Sequence, residues 1–429
     1  MSDFYSKLIA AETRPHADRE RAQFQALAPQ IQHAQQNSAA FAEILMGVDA
    51  AAVTSRAALA HLPVTRKTEL LDRQKAARAL SSNSESKDNA VFGGFSAIGF
   101  GANMLRVFAS PGTIYEPEGK QTDYWRSARA LAAAGFKAGD LIHNCYSYHF
   151  TPAGAMMECG AHALGCTVFP AGTGQTEQQV QAMAELKPAG YVGTPSFLKI
   201  ILEKAAEMGV ALPSVTKALV SGEACPPSLR DWFAERGVTV YQCYATADLG
   251  LIAYETSARE GLVIDEGVIV EIVTPGTGDP VAEGEVGEVV VTTFNTDYPL
   301  IRFGTGDLSA VLAGNCPTGR TNTRIKGWMG RADQTTKIRG MFVHPSQVAA
   351  IAKRFPDIVK ARLVVSGEMA DDRMTLQIET AKHAEAEDLL ERISEAIRDV
   401  TKLRGTVTLF APGSLPNDGR VIEDARSYK

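Results

Sequence analysis

The stretch LIHNCYSYHFTPAGAMMECGAHALGCTVF (residues 141–169) decides the fold. The short apolar run LIHNCYS is followed by a segment rich in Gly and Ala with helical character, AGAMMECGAHALG, and then by a second apolar run, CTVF. Strands that alternate with helices of about 10–15 residues are typical of βαβ units. The stretch therefore predicts two parallel strands with a helix between them.

The same alternation continues on both sides of this stretch, over about residues 90–260. After CTVF come, in turn, a helix, a strand, a helix, a strand and a helix: EQQVQAMAELK, AGYVGTPS, FLKIILEKAAEMG, KALVSGE and PPSLRDWFAERG. Residues 1–90 have helical spacing, with Thr65 as a predicted cap and Glu69 in the first turns of a helix. Residues 261–330 are rich in Val and Ile, which predicts an antiparallel sheet or a small barrel. We assign residues 1–330 to an N-terminal domain and 331–429 to an α+β domain.

Length, composition and charge narrow the class of protein. The 429 residues suffice for two or three compact units, and the net charge of -6 provides no basic surface for nucleic acid or anionic lipid. The N-terminus lacks the apolar run of a signal peptide, and we predict no membrane span. The six cysteines form no Cys-x-x-Cys pair, which favours reduced thiols. We therefore predict a cytoplasmic globular protein.

Several loops could hold a ligand. The stretch RVFASPGTIYEPEGK (106–120) has a run typical of a strand, then Ser110-Pro-Gly-Thr113 and turn residues, and we predict a helical segment from about Asp123. It lacks the Gly-Lys-Ser/Thr ending of a triphosphatase loop, so it is either a phosphate loop or a tight turn. The loops YSYHFTP, GTPSF, SGEACPP and YQCYATADLG follow predicted strands. Since ligands bind beyond the carboxyl ends of parallel strands, we expect a nucleotide or acyl-phosphate cleft, with ordinary turn chemistry as the alternative.

Two acids are candidates for specific roles. Asp307 in RFGTGDL, predicted in a turn between antiparallel strands, could accept two hydrogen bonds from a ribose diol or could cap the turn. Asp248 in YATADLG could hold magnesium, orient a phosphate or cap a helix.

These stretches occur together in a recognisable order. They are LPVTRKTEL, FPAGTGQTEQQVQAMAELKPAGYVGTPSF, ALVSGEACPPSLR, YATADLG, YPLIRFGTGDL and CPTGRTNTRIKGWMGRADQTTKIRGMFVHPSQV. Over about residues 60–429 the chain thereby resembles the phenylacetate–coenzyme A ligase family of the adenylate-forming enzymes. The resemblance implies an α/β fold with a large N-terminal domain of parallel βαβ sheets plus a small β-barrel, and a small mobile α+β C-terminal domain.

The resemblance also implies roles for individual residues. The implied nucleotide-binding residues are Ser110, Gly112, Thr113, Gly222, Glu223, Ala224, Tyr244, Ala245, Thr246, Asp307, Arg324 and Arg331. The implied acyl pocket is bordered by Tyr146, Tyr148, His149, Phe150, Gly193, Thr194 and Pro195. The implied catalytic residues are Asp248, which is also the candidate magnesium ligand, Arg324, and Asp333, the pivot of the C-terminal domain.

The chain departs from the family pattern at several positions. Glu116 and Glu118 stand where the family loop is neutral or basic, and Ala247 replaces a hydroxyl residue at the α-phosphate. The C-terminal stretch LPNDGRVIEDARSYK has no lysine between Gly419 and Arg426, where the family places one that bridges carboxylate and α-phosphate. The zinc-binding cysteines of some relatives are reduced to Cys316, so we expect no zinc.

The resulting prediction is an ATP-dependent ligase that uses ATP, Mg²⁺, a carboxylic acid and coenzyme A. The acid would become an acyl-adenylate and then a thioester, and the rings of Tyr146, Tyr148 and Phe150 favour an aromatic acid unless they are core residues. Two alternatives stay open: an adenylating ligase whose acceptor is not coenzyme A, and a nucleotide-binding homologue that does not catalyse. We also leave open whether the chain forms a homodimer.

Overall fold

The structure is a computed structural model that describes residues 8, 10–80, 90–110, 113–332, 334–367, 372–380, 386–416 and 420–426. The chain divides into two compact units, Met1–Met329 and Gly330–Lys429. The assignment of residues 331–429 as a mobile domain stays a prediction.

The first unit contains nine α-helices and fifteen strands in its described part. The helices are α1 His16–Asn37, α2 Ala39–Ile44, α3 Arg56–Ala60, α4 Lys67–Leu80, α5 Ala128–Ala133, α6 Ala153–Leu164, α7 Thr176–Leu186, α8 Pro195–Glu207 and α9 Pro227–Ala234. The strands are β1 Thr65–Arg66, β2 Met104–Ser110, β3 Ile114–Gly119, β4 Leu141–Asn144, β5 Thr167–Phe169, β6 Gly190–Gly193, β7 Lys217–Val220, β8 Thr239–Thr246, β9 Gly250–Tyr254, β10 Leu262–Ile264, β11 Val268–Val273, β12 Gly287–Thr293, β13 Phe303–Ser309, β14 Val311–Leu312 and β15 Arg324–Ile325.

A nine-stranded sheet forms the framework of the first unit. Its strand order is β14-β15-β10-β9-β8-β7-β6-β4-β5. The five strands β5, β4, β6, β7 and β8 are parallel, whereas the pairs from β8 to β14 are antiparallel. Helices α6 to α9 connect the parallel strands, so the predicted βαβ units are confirmed. The parallel strands carry buried Ala, Val and Leu side chains, because helices cover the sheet and exclude water from it.

The N-terminal helices pack with apolar faces against the core. In α1 the residues Phe24, Leu27, Ile31 and Ala34 are buried at helical spacing, as predicted for this region. The predicted cap at Thr65 is wrong, because Thr65 lies in β1, which pairs in parallel with β13. The start of α4 is held instead by the Glu69 carboxylate, which accepts the backbone N–H of Arg66 at 3.4 Å. This pairing places α4 next to the sheet that carries Asp307.

The region from 104 to 133 differs from the prediction. Strands β2 and β3 form an antiparallel hairpin in which Ser110 lies opposite Ile114 and Phe108 opposite Glu116. The segment after Thr113 is therefore a strand rather than a series of turns, and helix α5 begins at Ala128 rather than near Asp123. Sequence analysis did not predict the strand IYEPEG. A strand with one exposed face alternates buried and exposed residues, whereas here every residue except Tyr115 is buried.

The Val- and Ile-rich region is divided between two sheets: β10, β14 and β15 belong to the nine-stranded sheet, whereas β11, β12 and β13 join β1 in an open sheet. Its strand order is β1-β13-β12-β11, and no ladder joins β1 to β11 within the described residues. The three strands β11, β12 and β13 are antiparallel, as one alternative predicted, and β1 joins them in parallel. Within the described residues these four strands do not close into a barrel. A bulge between Glu288 and Val290 shifts the register of β12 against β13. Asp307 lies in β13 itself, so its predicted position in a turn is wrong.

The second unit has its own apolar core. Its elements are β16 Thr336–Ile338, β17 Met341–Val343, α10 Pro345–Lys353, β18 Ile358–Ser366, β19 Arg373–Thr380, α11 Ala386–Thr401, β20 Thr406–Phe410 and β21 Ile422–Asp424. The four long strands form a sheet of order β20-β19-β18-β21, with β18 and β19 antiparallel, and β16 and β17 form a hairpin. Leu363 and Leu376 of the sheet and Ile397 of α11 are fully buried in one cluster. This mixed arrangement confirms the predicted α+β character.

Two further observations concern the whole described chain. All six cysteines are free thiols. Among the described residues, no helix combines the length and the apolar character needed to cross a membrane.

Candidate active site

The predicted ligand loops follow neighbouring strands of the parallel sheet. The loop after β4 carries Tyr146 and Phe150, the loop after β6 carries Thr194, and the loop after β7 carries Glu223. Strand β8, the next in the sheet, runs on through Tyr244 to Thr246, so part of the predicted loop YATADLG is strand and the remainder is the turn to β9. Because the carboxyl ends of parallel strands meet at one edge of a sheet, the fold brings these loops together.

Asp307 is the centre of a hydrogen-bonded aromatic pair. Its Oδ2 accepts the hydroxyl of Tyr244 at 2.7 Å, and its Oδ1 accepts the indole N–H of Trp328 at 3.1 Å. The carboxylate is buried at 9% exposure, whereas Trp328 is 47% exposed. The preceding residue, Gly306, has a φ of 73°, a backbone conformation that residues other than glycine rarely adopt. The structure therefore joins two predicted nucleotide residues and adds Trp328, which sequence analysis missed.

The loop after β7 contacts the start of α8. The Glu223 carboxylate accepts the hydroxyl of Ser196 at 2.5 Å, and Gly222 has a φ of 81°. Glu223 and Gly222 are exposed, and Ala224 is half-buried. Thr194 caps α8 by accepting the backbone N–H of Phe197. Ser196 thus links the predicted adenine residue Glu223 to the predicted acyl residue Thr194, whose hydroxyl lies 3.3 Å from that of Ser196.

Gly193 is required by a close approach. A Cβ at this position would lie 2.1 Å from the Tyr191 hydroxyl, which donates to the Thr194 carbonyl at 3.0 Å. Pro195 follows at the first turn of α8, where a missing N–H is tolerated. This local packing fixes the strand end that carries the GTPS motif.

The predicted acyl residues differ widely in exposure. Tyr146 is buried at 8%, whereas Phe150 is 80% exposed and has a φ of 61°, and His149 is exposed. The Tyr148 hydroxyl donates to Glu158 at 2.8 Å and accepts from Asn144 at 2.7 Å. Phe150 also accepts a hydrogen bond at its carbonyl from the Ala109 N–H at 2.7 Å. That bond ties the acyl loop to β2 of the phosphate hairpin.

The hairpin of β2 and β3 holds two buried acids. Ser110 Oγ donates to Glu116 Oε1 at 2.5 Å, and Thr113 N donates to the Ser110 carbonyl at 3.1 Å. Glu118 accepts from Arg106 at 2.8 Å and from the indole of Trp125 at 3.2 Å. Glu118 is therefore occupied as a structural ion pair. Gly112 lies outside the described residues.

Asp248 lies in the turn between β8 and β9 and is paired with Lys67. Asp248 Oδ2 accepts the Lys67 ammonium at 2.9 Å, and its side chain is 2% exposed. No helix follows, so its alternative role as a helix cap is excluded by the hairpin. Burial, and next the negative charge of Asp248, raise the pKa of the Glu116 carboxyl to about 8. Lys67 was visible in the motif LPVTRKTEL but was assigned no role.

The remaining predicted residues lie elsewhere or in less informative surroundings. Arg324 is buried at 3% and donates to the carbonyls of Glu260 at 3.1 Å and Gly314 at 3.2 Å. Arg331 belongs to the second unit, and Asp333 lies outside the described residues. Ala245 and Thr246 pair with β9, and the Thr246 hydroxyl accepts the N–H of Leu249. Their nucleotide roles stay predictions.

Gln179 is a further residue that sequence analysis did not assign. Its amide donates to the carbonyls of Ala171, Gly172 and Gly174, and its Oε1 lies 2.5 Å from His143 Nε2. Burial lowers the pKa of His143, which is fully buried, so the ring is neutral and Nε2 donates. Gln179 thus holds the loop after β5 at the same sheet edge. Its only sequence signal was its place in the motif GQTEQQ.

Comparison with known proteins gives the class that this fold and this site define. Residues 122–296 match the family of AMP-binding enzymes, and residues 340–424 match the AMP-binding enzyme C-terminal domain. The structure is similar to that of 2-hydroxyisobutyryl-CoA ligase in complex with 2-HIB-AMP and CoA in the thioesterification state. Its TM-score is 0.78 at 25% identity over 97% of this chain and 92% of the ligase. The predicted adenylate-forming fold is confirmed.

The particular family follows from sequence similarity. The chain is 30% identical over 407 residues to phenylacetate-coenzyme A ligase of Thermus thermophilus, covering 86% of this chain and 87% of the relative. It is 29% identical over 336 residues to the Escherichia coli enzyme of the same name, covering 73% and 76%. The chain belongs to the phenylacetate–coenzyme A ligase family, which confirms the resemblance seen in the motifs.

Proposed function

We propose that this chain activates an aromatic or arylacetic acid as an acyl-adenylate and transfers the acyl group to coenzyme A. Membership of the family confirms the predicted AMP-forming acid–coenzyme A ligase. The observation that carries the nucleotide site is the pairing of Asp307 with Tyr244 at 2.7 Å beside the loop edge of the parallel sheet. A carboxylate held in this way can accept the hydroxyls of a ribose while the Tyr244 ring lies against a base.

Different residues would bind the nucleotide and orient its phosphates. Asp307 would position the ribose, and the Gly222–Ala224 loop would line the adenine. Thr113, which is exposed at the start of the turn into β3, would face the β and γ phosphates with its hydroxyl. Phosphoryl chemistry depends chiefly on positioning and electrostatics, so these contacts would orient the α-phosphate toward the carboxylate of the acid. Coenzyme A thiolate would then attack the acyl carbon, and AMP would leave.

The residues at Asp248 fit a magnesium ion. Asp248 Oδ1 and Glu116 Oε2 are buried carboxylate oxygens that no hydrogen bond reaches within the described part of the chain. Oxygen ligands of this kind suit Mg²⁺, which is usually held by one or two carboxylates together with substrate phosphates. When bound, the ion would offset negative charge on the phosphates. Lys67, which is paired with Asp248, would place a second positive charge in the same region.

The preference for an aromatic acid rests on the loop after β4. Tyr148 borders this loop with its hydroxyl fixed by Asn144 and Glu158, and Phe150 is exposed on it. Flat rings held rigidly favour flat ligands, which supports an aryl or arylacetic acid. The relatives named phenylacetate-coenzyme A ligase agree with this choice.

Pyrophosphate release tests the proposal directly. A panel of aryl, arylacetic and short aliphatic acids should be assayed with ATP, each with and without coenzyme A. We expect release with arylacetic or aryl acids and a thioester on adding coenzyme A. Release without a thioester would identify a different acceptor. Release with no acid of the panel, despite nucleotide binding, would favour the homologue that does not catalyse.

A further inference from the structure

Both oxygens of the Asp307 carboxylate accept a hydrogen bond from an aromatic side chain. Tyr244 donates to Oδ2 at 2.7 Å, and the indole N–H of Trp328 donates to Oδ1 at 3.1 Å. Asp307 is 9% exposed and Tyr244 is half-buried, whereas Trp328 is 47% exposed. Because the more exposed partner lies toward solvent, the indole covers the side of the carboxylate from which a ligand arrives.

The main chain on either side of Trp328 is fixed against β13. Met329 N donates to the Leu308 carbonyl at 2.9 Å, and Ser309 Oγ donates to the Gly327 carbonyl at 2.7 Å. These bonds bring the indole to the carboxylate, and neither of them involves the side chain of Trp328. The indole can therefore leave the carboxylate by a change of side-chain rotamer, while the main chain stays in place.

A ribose and the indole compete for the same acceptor. A ribose presents two neighbouring hydroxyl donors, which a carboxylate can accept with one oxygen each. The indole already donates to Oδ1 from the exposed side, so a hydroxyl that reaches this oxygen takes the place of the indole N–H. The released N–H then bonds to water, because nearly half of the Trp328 surface is exposed.

We propose that Trp328 is a latch on the nucleotide site: its indole holds Asp307 in the empty protein and is displaced when the ribose binds. The proposal rests on the proposed function for the assignment of Asp307 as the ribose acceptor. The measured affinity is then the intrinsic affinity reduced by the fraction of molecules in which the latch is open. A hydrogen bond to a carboxylate is stronger than one between neutral groups, so this fraction is small. Trp328 lies two residues before Gly330, where the second unit begins, so the ribose changes the contacts of the segment that leads to that unit.

Trp328→Phe tests the latch, because it keeps an aromatic ring and removes the N–H. We expect the variant to bind AMP about tenfold more tightly than the wild type, a change of about 1.4 kcal/mol, in calorimetric titration. The compound 2′,3′-dideoxy-AMP lacks both hydroxyls and does not compete for Oδ1. We therefore expect its affinity to be the same in the two proteins.

Two controls isolate the hydrogen bond. Trp232 in α9 has the Cζ of Arg236 stacked 3.6 Å from its ring centroid, and Trp232→Phe should leave the AMP affinity unchanged. In an Asp307→Ala background, Trp328→Phe should give no gain, because the acceptor for which the two donors compete is absent. Circular dichroism and thermal melting would confirm that each variant is folded.

Three results would overturn the latch. A loss of AMP affinity in Trp328→Phe would make the indole a support of Asp307, and an unchanged affinity would mean that the ribose binds without displacing it. An equal gain for AMP and 2′,3′-dideoxy-AMP would assign the effect to the ring rather than to its N–H.

Failure of the proposed function gives a different pattern. Wild-type protein that binds no AMP, or Asp307→Ala that binds AMP as the wild type does, would refute the nucleotide site on which the latch rests. Pyrophosphate release by a protein in which AMP binding depends on Asp307 but not on Trp328 would refute the latch only.

Discussion

Asp307 is the residue on which the nucleotide site depends. We expect Asp307→Ala to weaken ATP and AMP binding at least about tenfold, or roughly 1.4 kcal/mol, because both the ribose acceptor and the partner of Tyr244 are lost. Calorimetric titration measures the affinity. Asp279→Ala, which removes an exposed acid from the turn between β11 and β12, should have no effect. Unchanged affinity in Asp307→Ala would show that the ribose lies elsewhere.

Gly193 offers a test of the acyl pocket. A methyl group there would lie 2.1 Å from the Tyr191 hydroxyl, so Gly193→Ala must displace the ring and its bond to the Thr194 carbonyl. We expect the KM for the acid to rise about tenfold or more while the KM for ATP changes less. Steady-state kinetics with each substrate varied would separate the two. Equal changes in both KM values would argue against an acyl role for this strand end.

At the scale of elements, the turn before α5 carries the half-buried acid Asp123. Both oxygens of Asp123 accept the N–H of Ala128, at 3.2 and 3.3 Å, and Asp123 has a φ of 52°. Burial raises the pKa of Asp123 to about 7. A carboxyl whose pKa is raised on folding stabilises the folded state while it is protonated. This contribution is complete below the unfolded pKa of about 3.9 and is lost as the pH rises through the folded pKa.

Asp123→Asn should therefore flatten the pH dependence of stability. We expect the wild type to lose roughly 2–4 kcal/mol more than the variant between pH 4 and pH 8, because only the wild type must ionise a carboxyl whose pKa is raised in the folded state. Urea unfolding at a series of pH values measures the difference. The exposed variant Asp279→Asn should follow the wild type. Parallel curves for Asp123→Asn and wild type would mean that Asp123 ionises without penalty.

At the scale of the whole molecule, two departures from the family pattern fall at positions whose implied roles belong to adenylation. Ala247 has no hydroxyl, and the lysine expected between Gly419 and Arg426 is absent. We expect adenylation to be slower than thioester formation from supplied acyl-adenylate, because charge and hydrogen bonding are missing only at the phosphate. Single-turnover kinetics, with synthetic acyl-adenylate to bypass the first step, measures both rates.

Ala247→Thr tests the cause of this difference. The added hydroxyl should speed adenylation and leave thioester formation unchanged. Ala282→Thr, at an exposed position between β11 and β12, is a control of the same size change outside the candidate site. Adenylation that already outpaces thiol transfer in the wild type would mean that another group, such as Arg420, performs the role of the lysine.

The sequence by itself determined the fold class, the family and the order of the ligand loops. Alternation of apolar runs with helical segments is a local property, since each strand and helix needs its own pattern to bury a face. The motifs YATADLG and RFGTGDL belong to strands of two different sheets, and they meet where Tyr244 donates to Asp307. The alternation and the order of the motifs can be recognised in a single sequence without a structure.

Only the tertiary structure decided which side chains meet. The hairpin of β2 and β3 turns Glu116 inward, and α4 brings Lys67 to Asp248, 181 residues away along the chain. Trp328, in the segment after β15 that runs beside β13, reaches Asp307. On the loop after β4, Tyr146 is buried whereas Phe150 is exposed. Such contacts depend on strand register and on packing between distant elements, because a shift of one residue turns a side chain to the other face. No local pattern encodes that register.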